Sequence, residues 1–364
     1  ALRDHPVMNA ADLSVEQQLA LQKTALGLTP LSATYNGGQI NSSLNDANIQ
    51  VVQGFDFPTV IARRSQLLKE NTALAESQRA LTSAELKQRV SQAYMQLAYG
   101  NQLVELLHAL DSTYSDFAAN AQRKFDVGAS GRLERDAATA QRDRIRLEWA
   151  RSVTNRNQYQ TELQRWLGSD TLVSPESTAL NTSIQLETND AMIAQGPLLR
   201  YAQQQTEVAQ AQWRMDRSQW APSLQAGGFY QTLDHVSPFW GYQVGLGIPL
   251  PGGGQGARTK ASRLGTEIAT QQLENTQRTV RSAFTQASTQ LQQLDQLVKY
   301  YETQGEALAT SLHTSAQRSY DSGDIDYVAY IQGLDQSYRI RTEHLTALLD
   351  RANALFQLRA LLGQ

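Results

Sequence analysis

Proline is absent from two long tracts of the 364-residue chain, and this absence constrains the fold more than any other feature of the sequence. The tracts cover residues 59–174 and 252–364, and both are rich in alanine, leucine, glutamine, glutamate and arginine. Proline costs about 3 kcal/mol inside a helix, whereas these five residue types favour helices. We therefore expect long helices to fill both tracts.

Each tract contains one turn signal that would divide it into a helical hairpin. The signals are Phe125-Asp126-Val127-Gly128 and Tyr320-Asp321-Ser322-Gly323, in which an aspartate precedes a glycine by two residues. The first arm of each hairpin would contain about 65 residues and extend about 100 Å, which is typical of a coiled-coil element. In the second tract, spacings of three and four predict one buried stripe: Leu291, Leu294, Val298, Tyr301, Gly305, Leu308 and Leu312.

Four segments outside the helical tracts have the character of β-strands, at residues 31–41, 48–57, 223–233 and 239–250. Tilted strands of about ten residues cross the apolar layer of an outer membrane. In the last segment, every second residue is apolar: Trp240, Tyr242, Val244, Leu246, Ile248 and Leu250. This face could pack on the core of a soluble sheet or contact lipid. The unbroken apolar run, with no apolar segment nearby to cover it, favours lipid.

The two halves of the chain repeat one another. A shift of 195 residues places residues 121–128 on 316–323, and Arg144-Ile145-Arg146 on Arg339-Ile340-Arg341. Each half then contains a short helix, two strands and a helical hairpin, which indicates an internal duplication. The predicted division is residues 1–167 for the first repeat, 168–196 for the linker and 197–364 for the second repeat, with hairpin tips near 125–131 and 320–326.

Four strands are too few to close a barrel, because small membrane barrels need about eight strands. An open sheet in lipid would leave two edges of unpaired backbone groups, and each unpaired group is costly there. The long helices have a similar problem, since each carries one apolar stripe and two hydrated faces. The sequence therefore predicts that several copies join into a tube with a water-filled bore.

Composition and motifs argue against other classes of protein. The net charge of −3 argues against a nucleic-acid partner. The chain has no cysteine, so it has no disulfide and no thiolate metal site. No apolar run is long enough for a transmembrane helix, and the first six residues lack a secretory signal. We expect no enzyme activity, no cofactor and no metal site. The histidines lack metal-binding spacing and are predicted to be surface residues: His5, His108, His235, His313 and His344.

Several motifs resemble those of the TolC-type outer-membrane efflux factors, over essentially the whole chain. They are Pro222-x-Leu224 before the third strand, residues 244–250 at the end of the fourth, and the duplicated Tyr/Phe-x-x-Gly turn. The end of the fourth strand and the glycine-rich residues 252–256 that follow it most resemble the same segment in the family branch paired with heavy-metal RND pumps. The resemblance implies a mainly α fold with membrane β: a homotrimer with a 12-stranded barrel, four strands per chain, on a periplasmic α-barrel of long coiled-coil helices. Many relatives carry a lipidated N-terminal cysteine and a longer N-terminal segment, and this sequence has neither, so the resemblance leaves anchoring through lipid open.

The resemblance also implies a function. The protein would be a passive porin-like exit duct in the bacterial outer membrane, exporting drugs or heavy metals as part of a tripartite efflux system. An inner-membrane pump would supply the energy through a periplasmic adaptor. Two alternatives remain open: the outer-membrane duct of a type I protein secretion system, and, in a different class, a soluble coiled-coil scaffold.

The resemblance places both hairpin tips at the periplasmic end of the duct. Charged residues there would form rings that favour cations and hold the pore closed, and the candidates are Glu134, Arg132, Asp324 and Asp326. Small residues at the tips would allow an adaptor hairpin to dock, and the candidates are Gly128, Ser130, Gly131, Asp321 and Gly323. Solvated surface charges and ordinary turns are the alternatives for these two groups.

Overall fold

The structure is a computed structural model that describes residues 5–40, 43–176, 180, 190–233, 238–250, 252 and 254–364. Helices dominate it, which confirms the mainly α fold class. The helices are α1 (Pro6–Gln22), α2 (Pro58–Asp126), α3 (Arg132–Leu167), α4 (Asp190–Ala194), α5 (Pro197–Ser218), α6 (Gln255–Tyr300), α7 (Glu306–Asp321) and α8 (Tyr327–Leu362). A π-helix, Tyr301–Gly305, connects α6 to α7. The predicted linker lies partly outside the described residues, as does His235.

One antiparallel sheet contains all the described strands. The strands are β1 (Ser32–Gly38), β2 (Asp46–Phe55), β3 (Ser223–Thr232) and β4 (Phe239–Gly247). Their order is β1-β2-β3-β4, so β1 and β4 form the two edges. The two halves of the chain meet in the middle of the sheet, where Ile49 of β2 lies opposite Tyr230 of β3.

The chain forms two compact units. Residues 10–81 and 197–279 form one, which we call the strand unit because it contains the sheet. Residues 1–9, 82–196 and 280–364 form the other, which we call the hairpin unit because it contains both predicted tips. Each unit combines segments of both predicted repeats, so the compact units divide the chain differently from the duplication.

In the strand unit, polar contacts join the short helices to the long ones. Gln22 of α1 donates a hydrogen bond to the Thr72 hydroxyl of α2 at 2.6 Å. The Gln204 amide of α5 donates to the Glu70 carboxylate at 2.7 Å. These contacts show how glutamine is compatible with a stable fold, since its amide donates to hydroxyl and carboxylate groups along the helix seams.

The core of the hairpin unit consists of small clusters along its helices. One of them lies between α2, α6, the π-helix, α7 and α8, and its largest members include Met95, Val298, Tyr301, Ile340 and Phe356. Alanine fills much of the remaining space. Such thin seams explain how a chain with only 41% hydrophobic residues folds into long helices.

The predicted buried stripe of the second tract is wrong at Leu308, whereas Leu312 packs against the core cluster as predicted. Tyr301 is 7% exposed, as expected, but Leu308 is 46% exposed and Ala309 is completely buried. From Gly305 the buried face continues through Ala309, Leu312 and Ala316, and the helix just before it, Tyr301–Gly305, is a π-helical turn. Such a turn leaves no local signal in the 3.6-residue periodicity.

We predict that Gly305→Ala destabilises this turn. A methyl group at Gly305 would lie 2.8 Å from Cδ1 of Tyr301, which is too close for unstrained packing. Overpacking of this kind costs about 1–3 kcal/mol. As a matched control, Gly265→Ala on α6 meets no atom within 4 Å, and it should raise stability by up to about 1 kcal/mol. Thermal unfolding of both variants in detergent checks the prediction, and equal melting temperatures would contradict it.

The predicted surface position of the histidines is wrong for two of them. His5 is only 7% exposed, and its Nδ1 accepts a hydrogen bond from the Val7 amide at 3.2 Å. The His344 side chain is 13% exposed and lies 2.8 Å from the Glu306 carboxylate. One nitrogen of each ring contacts a neighbouring polar group, and sequence spacing does not show such contacts.

Candidate functional site

The sheet of the strand unit has one strongly apolar side. Its antiparallel register places Trp240 of β4 opposite Tyr230 of β3, and Val244 opposite Ala226. Trp240, Tyr242 and Val244 are 84%, 83% and 76% exposed. Leu246 is also exposed, and Ile248 and Leu250 continue the apolar run beyond the end of β4 at Gly247. Exposed apolar surface of this extent marks an interaction site.

The other side of the sheet carries mainly amides and glycines. Gln50 of β2 and Gln243 of β4 lie on this side and hydrogen bond to each other at 2.6 Å. Gln225 and Gln231 of β3 share the side, because each lies directly opposite a β4 residue of the same alternation as Gln243. The sheet is therefore amphipathic, although little covers its apolar side.

The first hairpin tip, between α2 and α3, is a Schellman turn. Gly128 has a φ of +73°, which favours glycine, and its amide donates to the Phe125 carbonyl at 2.9 Å. The Ala129 amide donates to the Lys124 carbonyl at 2.8 Å, which completes the motif. Gly131, at a φ of −81°, begins α3 with ordinary extended backbone.

The second tip, between α7 and α8, repeats the same turn. Gly323 has a φ of +81° and its amide donates to the Tyr320 carbonyl, while the Asp324 amide donates to the Ser319 carbonyl at 2.8 Å. The requirement for a positive φ accounts for Gly128 and Gly323 as turn residues. Any docking role would come in addition to it.

Two of the acidic candidates have local partners at the second tip. Asp324 accepts a hydrogen bond from the Ser322 hydroxyl at 2.7 Å. Asp326 is the N-cap of α8, and its carboxylate accepts from the Ala329 amide at 2.9 Å. Asp321, a docking candidate, accepts from the Gln317 amide at 3.1 Å. A cap of this type stabilises a helix by about 1 kcal/mol, so Asp326 has a structural role.

Glu134 connects the two hairpins. Its carboxylate accepts a hydrogen bond from the Tyr320 hydroxyl of α7 at 3.1 Å. Arg132 forms its ion pair with Asp136 on its own helix, at 3.4 Å, and both side chains are largely exposed. Of the candidate gate residues, the structure thus brings Glu134 into contact with the second hairpin. The Ser130 hydroxyl is covered and has no hydrogen-bond partner among the described residues.

Sequence analysis missed an aromatic cluster beside the tips. The rings of Tyr320, Tyr327 and Tyr330 lie 5.2–5.4 Å from that of Phe117, between centroids. The Lys124 ammonium group lies 4.6 Å from the centre of the Tyr320 ring. Burial, followed by the hydrogen bond to Glu134, raises the pKa of Tyr320 to about 12. Sequence spacing gave no signal for this cluster, because its members come from three helices.

Asp335 of α8 forms a second connection between the hairpins. It accepts a hydrogen bond from the Tyr114 hydroxyl of α2 at 2.9 Å, and it pairs with Arg144 of α3 at 3.3 Å. Tyr114 is completely buried, and burial raises the pKa of its hydroxyl above the ordinary range. In the first half, the residue that corresponds to Asp335 is Ala140. This difference between the two repeats is the sequence signal that could have pointed to a special role for Asp335.

The fold and half of the sequence match known proteins. Residues 190–364 match the family model described as outer membrane efflux protein. The chain is similar in fold to the CmeC outer membrane channel of Campylobacter jejuni, at 15% identity over 100% of this chain and 84% of that chain, with a TM-score of 0.83. Residues 190–364 therefore carry the sequence pattern of outer membrane efflux proteins, and the chain as a whole has the fold of a solved outer membrane channel.

Two further solved structures have the same fold as this chain. The outer membrane protein VceC of Vibrio cholerae is 14% identical over 100% of this chain and 94% of that chain, with a TM-score of 0.82. The open state of the MtrE outer membrane channel of Neisseria gonorrhoeae is 18% identical over 100% and 87%, with a TM-score of 0.81. A search of curated proteins by sequence gives no significant match.

Two features are absent from the described residues. None of these helices combines the length and apolarity needed to span a membrane. No group of three or more histidine, cysteine, aspartate or glutamate side chains in this part of the chain is placed to hold a metal ion.

We predict that alkaline pH loosens the two hairpin tips. Burial raises the pKa of Tyr320 and of Tyr330 to about 12, compared with 10.0 for an unburied tyrosine. Because the folded state holds these protons more tightly, the stabilisation is complete below pH 10 and is lost as the pH rises to about 12. Tyrosinate absorbance and hydrogen exchange of the tips, recorded together, check this. Protection that is unchanged across the range would contradict it.

Proposed function

We propose that three copies of this chain form a duct across the bacterial outer membrane. The observation that carries the proposal is the sheet, whose apolar side is exposed and whose edge strands, β1 and β4, lack a second neighbour within the described chain. Unpaired strand edges in lipid are unfavourable, because no water is present to satisfy their backbone groups. Pairing β4 of one copy with β1 of the next removes every edge.

Three copies would supply twelve strands, which exceeds the minimum of about eight for a membrane barrel. The side with Trp240, Tyr242 and Val244 would face lipid, and the side with Gln50 and Gln243 would face a water-filled bore. This orientation matches the polarity of both environments. The choice of three, among the possible numbers of copies, rests on the family that the chain resembles.

We propose that the hairpin unit lies in the periplasm and continues the duct as an α-barrel. The tips would then meet a periplasmic adaptor, which links the duct to an inner-membrane pump. Val127 at the first tip is 78% exposed, and Leu133 nearby is 83% exposed. These side chains, with Gly128, Gly131 and Gly323, form a surface on which an adaptor hairpin can pack.

Transport through this duct is passive, and the pump supplies the energy. The proposed cargo is small toxic solutes, such as drugs or heavy metals. Glu134, Arg132, Asp324 and Asp326 repeat three times around the tips in a trimer, where their charges would favour cations and help to close the pore.

The proposal is tested by purifying the protein from outer membranes in detergent and adding it to planar bilayers. We expect a particle with the mass of three chains and discrete single-channel currents. A monodisperse monomer that dissolves without detergent and conducts no current would reject the proposal and favour a coiled-coil scaffold.

A further inference from the structure

The polar side of the sheet carries an aromatic ring, Phe229, in the middle of β3. Phe229 lies between Gln50 of β2 and Gly241 of β4 in the antiparallel register. Its ring lies over Gly241, because a methyl group added at Gly241 would come within 2.6 Å of the ring carbon Cζ. The glycine therefore provides the flat surface on which the ring rests.

An amide bridge lies beside this ring. Gln50 and Gln243 come from the two strands that flank β3, and their side chains meet at 2.6 Å. The bridge passes over β3 at Gly227, the residue opposite Gln243, where there is no side chain in its way. It fixes two amide groups next to the ring, and each amide retains further hydrogen-bonding capacity.

Gly241 gives this site a defined shape, because it leaves room for the ring. Phe229 is paired with Gln50 in the register, so an aromatic surface and a polar group lie side by side. A second ring, Phe239, is on the same side of the sheet, opposite Gln231 and nearer to the loop between β3 and β4.

We propose that Phe229 and the Gln50–Gln243 bridge form a binding site for uncharged, planar aromatic solutes inside the duct. This inference rests on the proposed function, since closure of the sheet is what places this side in the bore. Three copies would set three rings and three amide bridges at one level. A planar solute would stack on a ring while its hydroxyl or carbonyl group hydrogen bonds to an amide.

The chemistry of the site favours this class of solute over metal ions. Divalent metal ions prefer carboxylate, imidazole or thiolate ligands, whereas these residues offer neutral amides and ring faces. The site therefore deepens the proposed function by selecting aromatic organic compounds from the range of possible cargo.

The test uses single channels of the full-length protein, with 1-naphthol as the probe and cyclohexanol as the non-aromatic control. We expect 1-naphthol to reduce the open-channel current of the wild type reversibly, and cyclohexanol to have little effect. Phe229→Leu keeps an apolar side chain but removes the ring. The affinity with which 1-naphthol blocks the current should therefore fall about threefold or more, which is within the range that aromatic stacking provides. The matched control is Tyr230→Leu, on the opposite side of the sheet, which should be blocked like the wild type.

The outcomes separate this inference from the proposed function. If the wild type forms no channel, the proposed function fails. If channels form and 1-naphthol blocks Phe229→Leu as strongly as the wild type, the site is refuted and the duct stands. Equal block by cyclohexanol would also refute it. If Phe229→Leu does not assemble, Gly241→Ala displaces the ring and must weaken the block to the same degree.

Discussion

Channels of a Tyr320→Phe variant should be open for a much larger fraction of the time than wild-type channels. The Tyr320 hydroxyl donates to Glu134 at 3.1 Å and so connects the two hairpins near their tips. Hydrogen bonds to charged groups contribute about 1.5–3 kcal/mol, and the partial exposure of this one favours the lower end. The ratio of open to closed tips should therefore rise about tenfold, as measured from single-channel records.

The matched control for this prediction is Tyr327→Phe. Tyr327 belongs to the same aromatic cluster, with its ring 5.3 Å from that of Phe117. Its substitution by phenylalanine likewise removes only the hydroxyl group. Its open probability should stay close to that of the wild type. Adding Asp335→Ala to Tyr320→Phe, which also removes the partner of Tyr114 and Arg144, should increase opening further. If Tyr320→Phe and Tyr327→Phe behave alike, the contact with Glu134 does not hold the tips closed.

The largest loss of stability should follow Tyr330→Ala. Tyr330 is 1% exposed, its ring is stacked 4.8 Å from that of Tyr320, and its hydroxyl donates to Gln317 at 2.5 Å. Replacing a buried aromatic residue by alanine costs about 3–5 kcal/mol, because it removes apolar contacts and leaves a cavity. Hydrogen exchange of residues 316–334, together with thermal unfolding, measures this loss.

Val328→Ala provides the comparison, two residues away on the same helix. Val328 is 55% exposed, so its truncation should change stability by less than about 0.5 kcal/mol. Tyr330→Phe separates the ring from the hydroxyl and should lose only about 1 kcal/mol. A Tyr330→Ala protein that exchanges and melts like Val328→Ala would show that the aromatic cluster does not organise the tips.

The sequence predicted those parts of the fold that depend on local patterns. Alternation in β4 placed Trp240, Tyr242 and Val244 on one side, and the structure exposes all three. The aspartate and glycine pairs mark turns because Gly128 and Gly323 need a positive φ, which few other residues adopt. The long helices could be located from the absence of proline alone, since a single proline inside such a tract would break its backbone hydrogen bonds.

Contacts between distant segments could not be predicted in the same way. The bond between Tyr320 and Glu134 joins residues 186 positions apart, and that between Tyr114 and Asp335 joins residues 221 apart. No periodicity reports which polar side chains face each other across a seam. The π-helix at Tyr301–Gly305 is similar, because its position depends on packing around Tyr301 and Gly305. The roles proposed for the charged and small residues at the tips remain predictions.

The central claim, that copies of the sheet pair edge to edge in the outer membrane, is tested most directly by cross-linking β1 to β4. The chain has no cysteine, so Thr34→Cys and Gly245→Cys would introduce the reactive thiols of a doubly substituted protein. Within one sheet, β1 and β4 are three strand spacings apart, about 14 Å, whereas paired edges of two copies would be about 5 Å apart. With a thiol cross-linker shorter than the first distance, we predict covalent dimers and trimers in native membranes. Cross-linked protein that migrates entirely as single chains would contradict the account.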